Sequence, residues 1–327
     1  MGQVLCAMSL WACGQPDGDT TDSEPDTETV STGDTSGGTS GSDGTTAPTT
    51  GSTGSSGSTG DSGIVVGEAK GLLNFTFYPE TAGGLPAELG MAGAWRTEPF
   101  STDDFFAVQA WGMHLPPPPD EANTVVNNSI PAPYDWGKDK TWVTGGNALK
   151  LRGEAGESLA CLLLVQDTFP VYLSDDAEFF DPLCAPDPAR WVAGAEYDLI
   201  AFGGEGKDDV VLPAAVTAPP ALTVTAPDVG VSLFELDRAE GLELTWETNG
   251  GQPNRVVIRL IDTYGQMLTA HAVDDGSFTI PSAELSQLAP GPATLTIARE
   301  QSFDLGLPDG DLRVVLRYEV WADPDLI

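Results

Sequence analysis

The sequence predicts an all-β fold: two β-sandwich domains behind a disordered N-terminal tether. Three observations lead there. Helical periodicity is nearly absent along the 327 residues, while short runs rich in β-branched and aromatic residues recur, cut by Gly, Pro and Asp. Residues 14–63 are built almost wholly from Gly, Ser, Thr, Asp and Pro, with Val30 and Ala47 as their only apolar side chains. The remainder, residues 64–327, is long enough for two domains of ordinary size and is punctuated by Pro219-Pro220.

In chain order, Val4–Trp11 is a short apolar run, far below the roughly 20 residues that span a bilayer. Leu10-Trp11-Ala12-Cys13-Gly14 closes it. This pentad resembles a bacterial lipobox. The resemblance implies that residues 1–13 are a signal peptide and that Cys13 becomes an acylated N-terminus. No Lys or Arg precedes Cys13, which a start codon placed too far downstream explains. Gln15 stands where Asp would retain a lipoprotein at the inner membrane, so the resemblance points to the outer membrane or cell surface.

The segment 14–63 cannot bury enough apolar surface to offset the entropy of ordering it, so it reads as a disordered tether. A flexible chain of this composition spans about 40 Å on average and about 170 Å when fully extended.

The block 64–220 offers strands at Leu72–Tyr78, Phe105–Trp111, Ala148–Arg152, Ser158–Val165, Pro170–Leu173, Tyr197–Phe202 and Val210–Leu212. Leu72–Phe77 alternates as a half-buried strand does, and Leu159–Val165 is apolar on both faces, as a central strand is. Pro116–Pro119 is a stiff polyproline stretch, followed by an irregular loop to about Lys140. Asp176–Phe180 and Pro188–Trp191 read as single helical turns.

The block 221–327 is patterned more tightly. Strands are expected at Leu222–Thr225, Val231–Phe234, Leu242–Glu247, Arg255–Ile261, Met267–Val273, Phe278–Ile280, Thr294–Arg299 and Leu312–Trp321, a spacing that means a sandwich. Asp274-Asp275-Gly276-Ser277 signals a turn. Pro281–Leu285 reads as one helical turn capped by Ser282, with Leu285 and Leu288 inward. Leu242–Glu247 followed by Val256–Leu260 resembles strands B and C of an immunoglobulin-like or fibronectin III domain, in which a Trp, here Trp246, fills the centre. Leu285-x-x-Leu288-x-Pro290-Gly291 resembles the corner before strand F, with Thr294 near the place of its usual tyrosine. The overall layout resembles Ser/Thr/Gly-tethered surface lipoproteins of Gram-negative bacteria.

The formal charge is −35, of which the tether supplies nine acidic residues. The two blocks carry 8 basic against 23 acidic and 6 against 17 residues, so each is acidic in its own right. Such surfaces repel nucleic acid and anionic lipid, which leaves the acyl chain as the contact with membrane. Cys161 and Cys184 are the two cysteines of the folded blocks. In an exported protein such a pair is most simply a disulfide, worth roughly 3 kcal/mol in the chain-entropy model. With no CxxC and only His114 and His271, no metal or redox role is expected.

Four motifs have both a structural and a functional reading. Gly203–Val211 matches a calcium nonapeptide, but one copy lacks the adjacent turn that would hold the ion, so a Gly-rich hairpin loop is expected. Asp175, Asp176, Glu178 and Asp181 form the densest acidic cluster and are the first choice for calcium, although no cofactor is required. Tyr134, Trp136 and Trp142 place three rings in one irregular segment, either covering the end of a sandwich or offering faces to a sugar. No GxSxG, HExxH or SxxK occurs.

The expectation is a non-catalytic surface protein displayed for adhesion, recognition or envelope architecture, with a surface glycan or protein as ligand. A carbohydrate-binding module using the aromatic loop is the alternative. A secreted hydrolase working through its acidic residues is a third and weaker one.

Overall fold

Alternation in Leu72-Leu73-Asn74-Phe75-Thr76-Phe77 sends Leu73, Phe75 and Phe77 to one side of a strand and Leu72, Asn74 and Thr76 to the other. This segment forms β1, Gly71–Tyr78. The structure is a computed structural model and describes residues 70–81, 84–95, 123–127, 148–154, 156, 158–164, 171–173, 187–202, 209–229, 234–249, 255–307 and 310–327. The chain continues through β2 (Glu88–Trp95), β3 (Asn123–Asn127), β4 (Ala148–Arg152), β5 (Ser158–Leu164), β6 (Val171–Leu173), β7 (Glu196–Phe202) and β8 (Val210–Thr217). Then come β9 (Val224–Ala226), β10 (Phe234–Leu236), β11 (Leu242–Trp246), β12 (Arg255–Asp262), β13 (Met267–Val273) and β14 (Ser277–Ile280). The one α-helix among the described residues, α1 (Ser282–Leu285), precedes β15 (Gly291–Leu307), β16 (Gly310–Ala322) and β17 (Pro324–Leu326).

A large sheet runs in the order β3-β13-β12-β15-β16-β1-β2-β6-β5-β4-β7-β8, and a small one in the order β14-β11-β9. β10 and β17 pair in parallel beside the start of β15. The expected boundary at Pro220 lies between strands that share this large sheet: β1, from the first block, pairs in parallel with β16, from the second.

The hairpin β15–β16 serves both halves. Leu295 and Ile297, with Tyr318 and Val320, pack into a core with Leu244, Trp246 and Ile280 of the small sheet and with Leu285 and Leu288. Further along, Phe303, Leu305, Leu312, Val314 and Leu316 pack into a second core with Phe75, Trp95, Leu149 and Leu199. Gly71 is required there, because a Cβ on it would come 2.8 Å from the Trp95 ring and 2.9 Å from Leu312.

Several elements depart from expectation. β1 is buried on both faces rather than half-buried, because its polar side is covered as well. Asn123–Asn127, expected within the irregular loop, forms β3 and pairs with β13; its Thr124-Val125-Val126 run is β-branched. β2 has a weak strand signature, Glu-Leu-Gly-Met-Ala-Gly-Ala-Trp, and is held by pairing with β1 along its whole length. β15 runs to Leu307 because its polar residues past Arg299 find partners on β16. The cap of α1 is Pro281, which makes no side-chain hydrogen bond, while Ser282 lies inside the turn. The Asp274–Ser277 turn forms where expected and carries the chain from the large sheet to the small one.

Candidate functional site

Among the described residues, register places a row of buried charged side chains on one face of the large sheet, opposite the two cores. Thr76, Arg317, Glu300 and Arg255 stand in one cross-strand row over β1, β16, β15 and β12. Arg313 stands opposite Asp304, Arg259 lies between Thr296 and Thr269, and His271 is opposite Val257. Arg317 is 1% exposed, Glu300 2%, Glu319 2% and His271 1%. A charge taken from water is tolerated only where opposite charge or hydrogen bonds replace the lost hydration. Arg317 Nη2 lies 2.5 Å from Glu319 and its Nε 3.7 Å from Glu300. Arg313 holds Asp304 bidentately, Nε and Nη2 each donating at 2.8 Å.

Burial also decides the protonation states on this face. It pushes the Tyr78 hydroxyl above the ordinary tyrosine range, helped by the negative charge of Glu319 and opposed by Arg317 and Arg259. It raises the Glu300 carboxyl, against the pull of Arg317, Arg255 and Arg259. It lowers Arg259 to about 10, with Arg317 adding to the effect. It holds His271 well below its usual value, reinforced by Arg255, Arg259 and Arg317. At neutral pH the face therefore carries a protonated Tyr78 and a neutral His271. Thr76, Arg317, Glu300 and Arg255 are buried, so the row braces the sheet from within.

A second polar constellation ties the two sheets together. Trp246 ends β11, and its indole Nε1 donates to Asp274 Oδ1 at 2.8 Å. Arg299 pairs with the same carboxylate, Nε to Oδ2 at 2.8 Å, while its two terminal nitrogens donate to the carbonyls of Ala221 and Glu247. One arginine thus joins the large sheet, the corner after β13, the end of β11 and the segment after Pro220.

A third sits in the first block. Tyr197, at the start of β7, accepts the Val192 amide at 2.7 Å and donates to the Arg190 carbonyl at 3.1 Å. Its neighbour Trp191 stacks on Phe77, centroids 5.4 Å apart. Nearby, Asp198 takes the Arg152 guanidinium and the Ala214 amide, which lowers its pKa, the arginine contributing most.

Of the residues singled out in the sequence, Cys13, Tyr134, Trp136, Trp142, Asp175, Asp176, Glu178, Asp181 and Cys184 lie outside the described residues. Cys161 falls on β5, its side chain outside them. Gly203–Val211 joins β7 to β8, which pair antiparallel as hairpin arms; residues 203–208 are outside the described set. Trp95, Trp191 and Trp246 are buried in the cores. Among the described residues no group of His, Cys, Asp and Glu could hold a metal ion, and no helix is long and apolar enough to cross a membrane.

The buried arginines escaped sequence reading because strand alternation alone does not say that a polar face is covered. The regular spacing of Arg313, Arg317 and Glu319 on β16 was the available signal. No protein-family model matches the chain, and no curated protein matches it.

Proposed function

We propose that the chain is a lipid-anchored surface protein whose two β-sandwich domains, the second immunoglobulin-like, are displayed on a tether for adhesion, recognition or envelope architecture, without turnover of a substrate. The observation that carries this reading is the sequence order of lipobox, tether and strand-rich body, with Cys13 as the anchor.

Strand order supports the sandwich identity. In an immunoglobulin fold the first, second and fifth strands share one sheet and the third, sixth and seventh the other. β9, β11 and β14 divide from β12, β15 and β16 in the same way, with β13 as a fourth strand beside β12. The use of the buried charges as braces supports a role in display over one in catalysis.

The test is metabolic labelling with an alkyne palmitate in a Gram-negative host expressing the full chain, beside Cys13→Ser. Label on the parent alone, with the parent in the membrane fraction, supports the reading. An unlabelled parent overturns it.

A further inference from the structure

We infer that the folded body is stabilised by salt, because its second half draws its cations inward and leaves an exterior dominated by acidic groups. Residues 221–327 contain no lysine and six arginines: Arg238, Arg255, Arg259, Arg299, Arg313 and Arg317. None is exposed; Arg255, Arg299, Arg313 and Arg317 are buried, and Arg238 and Arg259 half-buried. Three of them are held by internal carboxylates, Arg299 by Asp274, Arg313 by Asp304 and Arg317 by Glu319. Arg238 donates to the Leu288 carbonyl.

The charge that the same residues leave fully exposed is therefore acidic. Glu235 and Asp325 show the consequence locally. Both are exposed, and they stand directly opposite one another in the β10–β17 pair, where like charges destabilise. Elsewhere Glu240, Glu243 and Glu247 are exposed in the same half.

Mobile ions screen these two populations unequally. Exposed charges lose most of their mutual repulsion as the Debye length shrinks, from about 30 Å at 0.01 M salt to about 10 Å at 0.1 M. Buried pairs are screened far less. A protein braced by exposed ion pairs weakens over this range; this one is expected to strengthen, because what salt removes is repulsion and what it spares is the internal pairing.

The experiment is the thermal midpoint of the full chain in potassium chloride from about 0.01 M to about 0.3 M. The expected result is a rise of several degrees. Glu235→Gln, and separately Asp325→Asn, should raise the midpoint at the low end and have less effect at the high end. A midpoint that falls or stays level with salt overturns the inference. So does a pair of variants whose effects are independent of salt.

Discussion

Arg299 and Asp274 form an ion pair at 2.8 Å whose side chains are 2% and 4% exposed, on the core side of the β15–β16 hairpin where one hydrophobic core gives way to the other. The pair is anchored on both sides, Asp274 by the Trp246 indole and Arg299 by the Ala221 and Glu247 carbonyls. Removing one partner leaves a buried charge uncompensated, at a cost of about 3–5 kcal/mol. Arg299→Met is expected to lower the thermal midpoint by about 10 °C. Combining it with Asp274→Asn should cost less than the two single changes summed, because each already breaks the same contact. Thermal unfolding of the three variants checks both statements.

His271 makes stability depend on pH with a definite sign. Its folded-state pKa is depressed, so between that value and about 6.5 the unfolded chain binds a proton that the folded one does not. Stability therefore falls as pH drops below about 6.5, by at most ~1.4 kcal/mol per pH unit from this group. Its raised folded pKa gives Glu300 the opposite sign: it binds a proton on folding above the unfolded carboxylate value, so its burial costs stability at neutral pH and less in acid. Urea unfolding of His271→Met between about pH 5.5 and 6.5 should show a shallower decline than the parent.

Gly241 and Gly265 separate strain from crowding. Both have left-handed backbone, φ +87° and +78°. A Cβ on Gly241 would come 2.8 Å from the Ile280 carbonyl oxygen, whereas one on Gly265 meets nothing within 4 Å. Gly265→Ala is expected to cost about 1 kcal/mol and Gly241→Ala about 2 kcal/mol or more. Equal costs in chemical denaturation would contradict the packing described for the turn before β11.

Tyr197→Phe removes the hydroxyl that joins the Val192 amide to the Arg190 carbonyl while keeping the ring against Trp191. The expected loss is about 1–2 kcal/mol, since two partly buried backbone groups lose a partner. A loss near zero would remove the tyrosine's role in fixing the approach to β7.

The strands were legible wherever β-branched and apolar residues alternate or cluster. Met267–Val273 and Ala148–Arg152 were read with their observed ends, and Leu242–Trp246 within one residue. β2 was not legible, because Gly90, Ala92 and Ala94 carry little intrinsic strand preference and owe their conformation to pairing with β1. The full length of β15 was hidden for a related reason. Glu300 and Asp304 look like the end of a strand until Arg317 and Arg313 are placed beside them.

The polar face was the least legible part. Its row of charges is assembled by long-range pairing, β1 with β16 among others, and strands that far apart in sequence carry no local sign of standing side by side. Overall strand richness, by contrast, is a local property of composition.

The mass of the mature N-terminal peptide, from full chain produced in a Gram-negative host, is the most direct measurement. The account predicts a peptide that begins at Cys13 and carries a diacylglyceryl thioether on its sulfur. An unmodified Cys13 within a longer peptide that retains Trp11 and Ala12 would contradict it.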